Sequence, residues 1–179
     1  MVDYNKIYTD NENKWTSEER DDFVLDNIDE PTSLLDIGCG NGHTIEHLAR
    51  YWPNTKFYGV DISQVAIDIA KKKVPEATFV CGTSIDKDVD VALLMGVAEH
   101  FENLKDLENI KAKIVYLEVP NCLSYSDSDE EGFRKTGEQM EWHLRRETWE
   151  DVIKDCGYKI IERLDGGRPS WQFVWILRR

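Results

Sequence analysis

Three glycines at alternate positions, Gly38, Gly40 and Gly42, follow an apolar run that ends on an acid, in the stretch LLDIGCGNG from Leu34 to Gly42. Glycine permits a positive φ and lets the backbone approach a ligand with no Cβ in the way. A strand that stops at such a loop and re-emerges as a helix turns free backbone N–H groups toward a bound group. The chemistry this predicts is the holding of a nucleotide-like cofactor. A ligand-free turn is the alternative, but a turn needs one or two glycines, and a glycine at 42 would also weaken the first turn of a helix. The dinucleotide fingerprint G-x-G-x-x-G, read from Gly38, puts its third glycine at position 43, which is His43. A nicotinamide cofactor is therefore disfavoured, although an acid at a suitable distance, Asp61, is present.

The order D-x-G-x-G-x-G from Asp36 is followed nineteen residues after Gly42 by the acid of FYGVDIS. DVALLMGVAEHFEN, KIVYLEVPN and WEDVIKDCGYKIIERL come next, and the whole set runs from about Pro31 to Arg179. In this order the segments resemble the class I S-adenosylmethionine-dependent methyltransferases. The resemblance implies a Rossmann-like α/β fold, a seven-stranded mostly parallel sheet with an antiparallel last strand and helices on both faces. It implies S-adenosylmethionine as cofactor and direct methyl transfer as the reaction. Asp36, Gly38, Cys39 and Gly40 would cradle the methionine part and ribose. Asp61 would accept both ribose hydroxyls, since two carboxylate oxygens suit a cis-diol. Ile62 would lie on the adenine, and Met95 or Gly96 would offer a carbonyl to the methionine ammonium. Family members often carry an acid after the third strand for the adenine amino group. Here that loop reads Cys81-Gly82-Thr83-Ser84 with no acid before Asp86, so Thr83 or Ser84 is expected to serve instead.

On the acceptor side, GVAEHFEN is similar to a segment of small-molecule O- and N-methyltransferases of the ubiquinone-biosynthesis type. It places Glu99 and His100 after the fourth strand. His100 is a candidate general base because histidine changes charge near neutrality; His143 is a second. Each has a plain structural role, a bond to a backbone carbonyl, as its alternative. Glu118 either faces the site or ends the sheet. The aromatic residues Tyr4, Tyr8 and Trp15 are candidates for a lid that excludes water and offers a π face to the sulfonium; packing of the N-terminal extension is the alternative. The acids Asp127, Asp129, Glu130 and Glu131 lack the spacing of a calcium loop, and no required metal is expected. Two other functions compete: a module that binds the cofactor or its demethylated product without chemistry, and a methyltransferase acting on protein or nucleic acid.

These residues need a frame, and the chain is long enough to supply one. At 179 residues it is expected to form a single domain, with 1–30 as an N-terminal extension and 121–142 as a substrate-side insertion. A net charge of −13, from 22 basic and 35 acidic side chains, repels phosphate backbones and argues against nucleic acid as partner. Lys71-Lys72-Lys73 reads as a solvated helix end. The four cysteines, 39, 81, 122 and 156, show no metal spacing and read as reduced, mostly buried thiols of a cytoplasmic protein. No stretch has the length of a signal or of a membrane span. The oligomeric state and the acceptor itself are left open.

Periodicity predicts strands at 33–37, 56–61, 77–80, 88–95 and 113–119. Helices are expected at 17–28, at 43–52, from a Ser63 cap with inner face Val65, Ala66, Ile69 and Ala70, at 103–110, and around Trp149 to Cys156. Strands 158–164 and 171–177 are joined by a five-residue link, too short for a parallel crossover, so they must be antiparallel. The core of 121–142, SYSDSDEEGFRKTGEQ, is polar and is expected to be mobile when empty.

Overall fold

The computed structural model describes residues 2–11, 16–121, 131–136, 139–164 and 172–179. Their elements, in order, are α1 (Tyr4–Asp10), α2 (Glu18–Asn27), β1 (Ser33–Ile37), α3 (His43–Ala49), β2 (Lys56–Asp61), α4 (Gln64–Lys73), β3 (Thr78–Cys81), β4 (Val89–Met95), 3₁₀ turns at Ala98–His100 and Leu104–Asn109, β5 (Ala112–Pro120), β6 (Gly132–Thr136), β7 (Gln139–His143), α5 (Arg146–Asp155), β8 (Lys159–Arg163) and β9 (Gln172–Arg178). The large sheet has seven strands, mostly parallel, in the order β3-β2-β1-β4-β5-β9-β8, with β9 antiparallel to both of its neighbours. The chain divides into two compact units at the middle of β4, residues 3–92 and residues 93–179.

In the N-terminal unit, β1 pairs with β2 and β2 with β3, all parallel, with Asp36 opposite Gly59 and Asp61 opposite Cys81. Leu34, Ile45, Leu48, Ala66, Ile67 and Ala70 are completely buried. Each of the larger aliphatic side chains among them contributes roughly 1.5–3 kcal/mol by leaving water. Ser63 caps α4 as the sequence predicts, accepting the N–H of Ala66. The buried face of α4 is Ala66, Ile67 and Ala70, however, while Val65 and Ile69 are half-buried. At about 100° per residue, positions 63, 66, 67, 70 and 74 share one face, and 65 and 69 fall on its flank. Cys39 and Cys156 are buried, and Cys81 is exposed.

In the C-terminal unit, β5 pairs with the whole of β9 from Ile114 to Pro120, with Glu118 opposite Val174. Tyr116, Leu117, Trp149, Ile153, Val174 and Trp175 are completely buried. The 103–110 segment is a 3₁₀ turn over Leu104–Asn109 rather than an α-helix. Within the expected insertion, β6 pairs antiparallel with β7, with Phe133 opposite Trp142 and Arg134 opposite Glu141. Two bonds fasten the hairpin to the first 3₁₀ turn, His100 Nδ1 to the Met140 carbonyl at 2.9 Å and Trp142 Nε1 to the Phe101 carbonyl at 2.8 Å. Residues 122–130, which include Asp127, Asp129 and Glu130, lie outside the described residues, as does Trp15.

Candidate functional site

The loop after β1 is folded back onto the end of β2. The N–H groups of Gly38 and Cys39 both donate to the Val60 carbonyl, at 2.8 and 3.0 Å. Gly42 N donates to the Cys39 carbonyl, and Asn41 Oδ1 accepts the N–H of His43 just ahead of α3. Gly38, Gly40 and Gly42 all have positive φ, at 75°, 51° and 76°. Gly40 is constrained twice over: a Cβ there would be strained by φ and would also collide with the Tyr8 hydroxyl. The loop thus forms a close-approach surface with the buried Tyr8 ring seated against it.

Asp61, at the end of β2, faces this loop. Its Oδ2 accepts the N–H of Gly40 at 2.9 Å, and its Oδ1 accepts the N–H of Ser63 at 2.8 Å. Ile62, next in sequence, is exposed. Asp36 is 3% exposed. Burial, first, and then the charge of Asp21 hold its carboxyl well above the usual carboxylate range; Arg20 works the other way. Burial likewise raises Asp61, against the hydrogen bonds from Ser63 and Gly40. It raises the Tyr8 phenol too, with further contributions from Asp61, Cys39 and Asp36. Tyr4 is close enough to act on Tyr8 electrostatically.

Asp21 comes from α2, a part of the chain the motif reading did not reach. It is buried, accepts the Thr44 hydroxyl at 2.7 Å and lies 3.3 Å from His43 Nε2. Its neighbour Asp22 is 2.8 Å from His47 Nε2. These contacts dock α2 on α3 and bring a second carboxylate toward Asp36. No local pattern around Asp21 marks it for this role, because its partners are more than twenty residues away. Thr83 and Ser84 are both exposed, in a stretch without regular structure that is tied back by Gly82 N to the Asp61 carbonyl.

The arrangement fits one kind of ligand. Asp36 is a desolvated carboxylate whose charged form a cation would favour. Asp61 offers oxygens for a diol, and the glycine loop offers backbone at close range. S-adenosylmethionine carries an ammonium, a sulfonium and a ribose diol, so the residues present suit it.

The C-terminal unit holds the remaining sequence-predicted residues. Gly96 has φ 71° and donates its N–H to the Glu118 carbonyl at 3.0 Å, directly after Met95 ends β4. Glu118 is buried inside the sheet and accepts from Gln172 Nε2 at 2.8 Å. Since a carbonyl can only accept, the bond to Met140 fixes His100 with its proton on Nδ1. Its Nε2 lies 3.9 Å from the buried Glu99 Oε1. His143 is buried, with Nε2 3.3 Å from Glu141 Oε1. Glu131 accepts from Arg145 N and from the Thr148 hydroxyl, which commits it to the start of α5. Among the described residues no group of three or more His, Cys, Asp or Glu is placed to hold a metal ion.

Residues 34–116 match the family model described as a methyltransferase domain. A trans-aconitate 2-methyltransferase of Afipia carboxidovorans is 43% identical over 51 residues, covering 28% of this chain and 20% of that protein. A malonyl-[acyl-carrier protein] O-methyltransferase of Priestia megaterium is 32% identical over 78 residues, covering 40% of this chain and 28% of that protein. The chain therefore spans about a fifth to a quarter of the length of these curated relatives. The crystal structure of an S-adenosylmethionine-dependent methyltransferase from Clostridium acetobutylicum superposes with a TM-score of 0.72 at 15% identity, over 97% of this chain and 96% of that one. Residues 34–116 thus match a methyltransferase domain, and the fold is that of a solved S-adenosylmethionine-dependent methyltransferase.

Proposed function

We propose that this chain binds S-adenosylmethionine at the 36–42 loop and Asp61, and that it transfers the methyl group to an oxygen or nitrogen of a small-molecule acceptor. The observation that carries this is Asp61, held between Gly40 N and Ser63 N next to the buried Asp36. When bound, the cofactor supplies an electrophilic methyl group on a sulfonium. In this reading Asp61 takes the ribose hydroxyls, Asp36 opposes the ammonium, and the exposed Ile62 covers the adenine. Tyr8 keeps water from the loop. His100 Nε2 removes the acceptor's proton, and Glu99 stabilises the imidazolium that forms. His143, more deeply buried, is the weaker candidate for the base.

The acceptor is proposed to be small because one relative named above is a trans-aconitate 2-methyltransferase, and because a charge of −13 disfavours nucleic acid. A cytoplasmic setting belongs to the same proposal, on the acidic composition and the free thiols of Cys39, Cys81 and Cys156. Among the described residues no helix is long and apolar enough to cross a membrane.

Isothermal titration with S-adenosylmethionine tests the first step, and absence of binding at millimolar cofactor sinks the proposal. Release of S-adenosylhomocysteine with a panel of phenols, carboxylic acids and amines tests the second. A second reading, holding of the cofactor without transfer, draws support from the adenine-side loop, where Thr83 and Ser84 are exposed and no acid precedes Asp86. Turnover with any acceptor excludes it.

A further inference from the structure

Helix α1 is seven residues long, and of these only Tyr8 is buried. A helix this short has no stability of its own in water, so its contacts must hold it. Two of these contacts reach the loop and the end of β2. One is the Tyr8 ring against Gly40, where the hydroxyl fills the space a Cβ would take. The other is Asn5, an exposed residue whose Oδ1 accepts from the Ser63 hydroxyl at 2.9 Å and from Val65 N at 3.2 Å.

Ser63 has a second connection. Its N–H donates to Asp61 Oδ1, and Asp61 Oδ2 accepts from Gly40 N. A closed circuit therefore runs from Asn5 through Ser63, Asp61 and Gly40 to Tyr8, and back along α1. The acid assigned to the ribose and the strap over the loop are links in one ring. Because the Tyr8 phenol already lies on the loop, a ligand reaching that backbone must arrive with α1 lifted.

We propose that α1 is a strap across the glycine loop and that Asn5 is its latch, so that release of the Asn5–Ser63 bond limits how fast the cofactor enters and leaves. The proposal rests on the cofactor reading above. The latch consists of two hydrogen bonds to an exposed amide and one buried ring, which places α1 at the low-stability end of the molecule, where opening is local and frequent. In this proposal the strap closes over the bound cofactor as it does over the empty loop, so breaking the latch speeds both directions and leaves the equilibrium nearly where it was.

Asn5→Ala removes the acceptor and leaves Ser63 free to keep capping Ala66. Asn5→Asp keeps an acceptor oxygen at the same reach. The experiment uses the full chain and two measurements. Hydrogen exchange over residues 3–11 reads opening of the strap. Chase of labelled S-adenosylmethionine with unlabelled cofactor, together with rapid-mixing association, reads exchange. For Asn5→Ala we expect roughly tenfold faster amide exchange in α1. Association and dissociation rates should both rise roughly fivefold, with less than a twofold change in Kd. Asn5→Asp should stay near wild type in both. Unchanged amide exchange in Asn5→Ala overturns the latch, and faster amide exchange with unchanged cofactor rates overturns the gating. Absence of cofactor binding to the wild-type chain instead removes the functional reading, and the amide exchange then decides the latch alone.

Discussion

The carboxylate of Asp61 accepts the backbone N–H of Gly40 at 2.9 Å, across 21 residues of sequence. One side chain thereby fixes the spacing between the end of β2 and the crest of the glycine loop. Its other oxygen takes Ser63 N, so both oxygens are directed before a ligand arrives. Fixed dipoles of this kind need no rearrangement on binding.

Asp61→Ala takes the acceptor from Gly40 and Ser63 and removes the proposed ribose contact. Loss of hydrogen bonds to a charged group is worth about 1.5–3 kcal/mol. S-adenosylmethionine affinity should fall roughly 10- to 100-fold by isothermal titration. An unchanged affinity would refute the ribose assignment.

Asp36 gives a pH dependence with a definite sign. Burial and Asp21 raise its pKa above that of the unfolded chain, about 3.9. Below that unfolded value the group is protonated in both states and costs nothing. As pH rises through the folded value the native state must carry a desolvated charge, and stability is lost. A cationic ligand favours the ionised form, so binding should release protons and affinity should climb with pH over the same window. Calorimetry in buffers of different ionisation enthalpy counts those protons. Asp36→Asn should raise Tm by roughly 2–4 °C, equivalent to about 1 kcal/mol, while weakening the cofactor. A variant that binds as wild type does would remove Asp36 from the site.

Gly40→Ala combines two penalties, a left-handed backbone and a collision with the Tyr8 hydroxyl. The first is worth about 1–2 kcal/mol for a non-glycine residue. The second should shrink in a Tyr8→Phe background, which lacks the colliding oxygen and keeps only the Cζ contact at 3.2 Å. Urea denaturation of the four proteins in the cycle should give a coupling of order 1 kcal/mol. Equal costs in both backgrounds would mean that Tyr8 does not rest on the loop.

If His100 Nε2 is the base, His100→Ala should lower kcat by roughly 10²–10⁴. His143→Ala should cost less than tenfold in kcat and show its effect in thermal stability, since the ring is buried beside Glu141. The reverse ranking of the two variants would transfer the role to His143.

Legibility in the sequence followed the range of the interaction. The β1 strand at 33–37, the Ser63 cap and the antiparallel final pair were readable because periodicity, capping and loop length act over a few residues. The glycine loop and Asp61 were readable because their spacing has a mechanism. The hairpin at 132–143 was not, since FRKTGEQMEWH alternates weakly and its anchor points, Phe101 and His100, lie some forty residues away. Asp21 and Asn5 escaped for the same reason. Asp21 meets Thr44 and Asn5 meets Ser63 only in three dimensions, and neither residue has a neighbour that announces it.

Strand β8 ends the seven-stranded sheet, carries a register shift between Ile160 and Glu162, and leaves Ile161 55% exposed. An open edge with an outward isoleucine invites a second chain to add on. The break in register interrupts the row of unpaired amide groups, and Lys159, Glu162 and Arg163 place charges along it. Arg163 is held there by two bonds to Glu150, at 2.6 and 2.7 Å. This edge is therefore guarded against fibre-like stacking by its irregularity, and a mutation that straightened it would trade solubility for order.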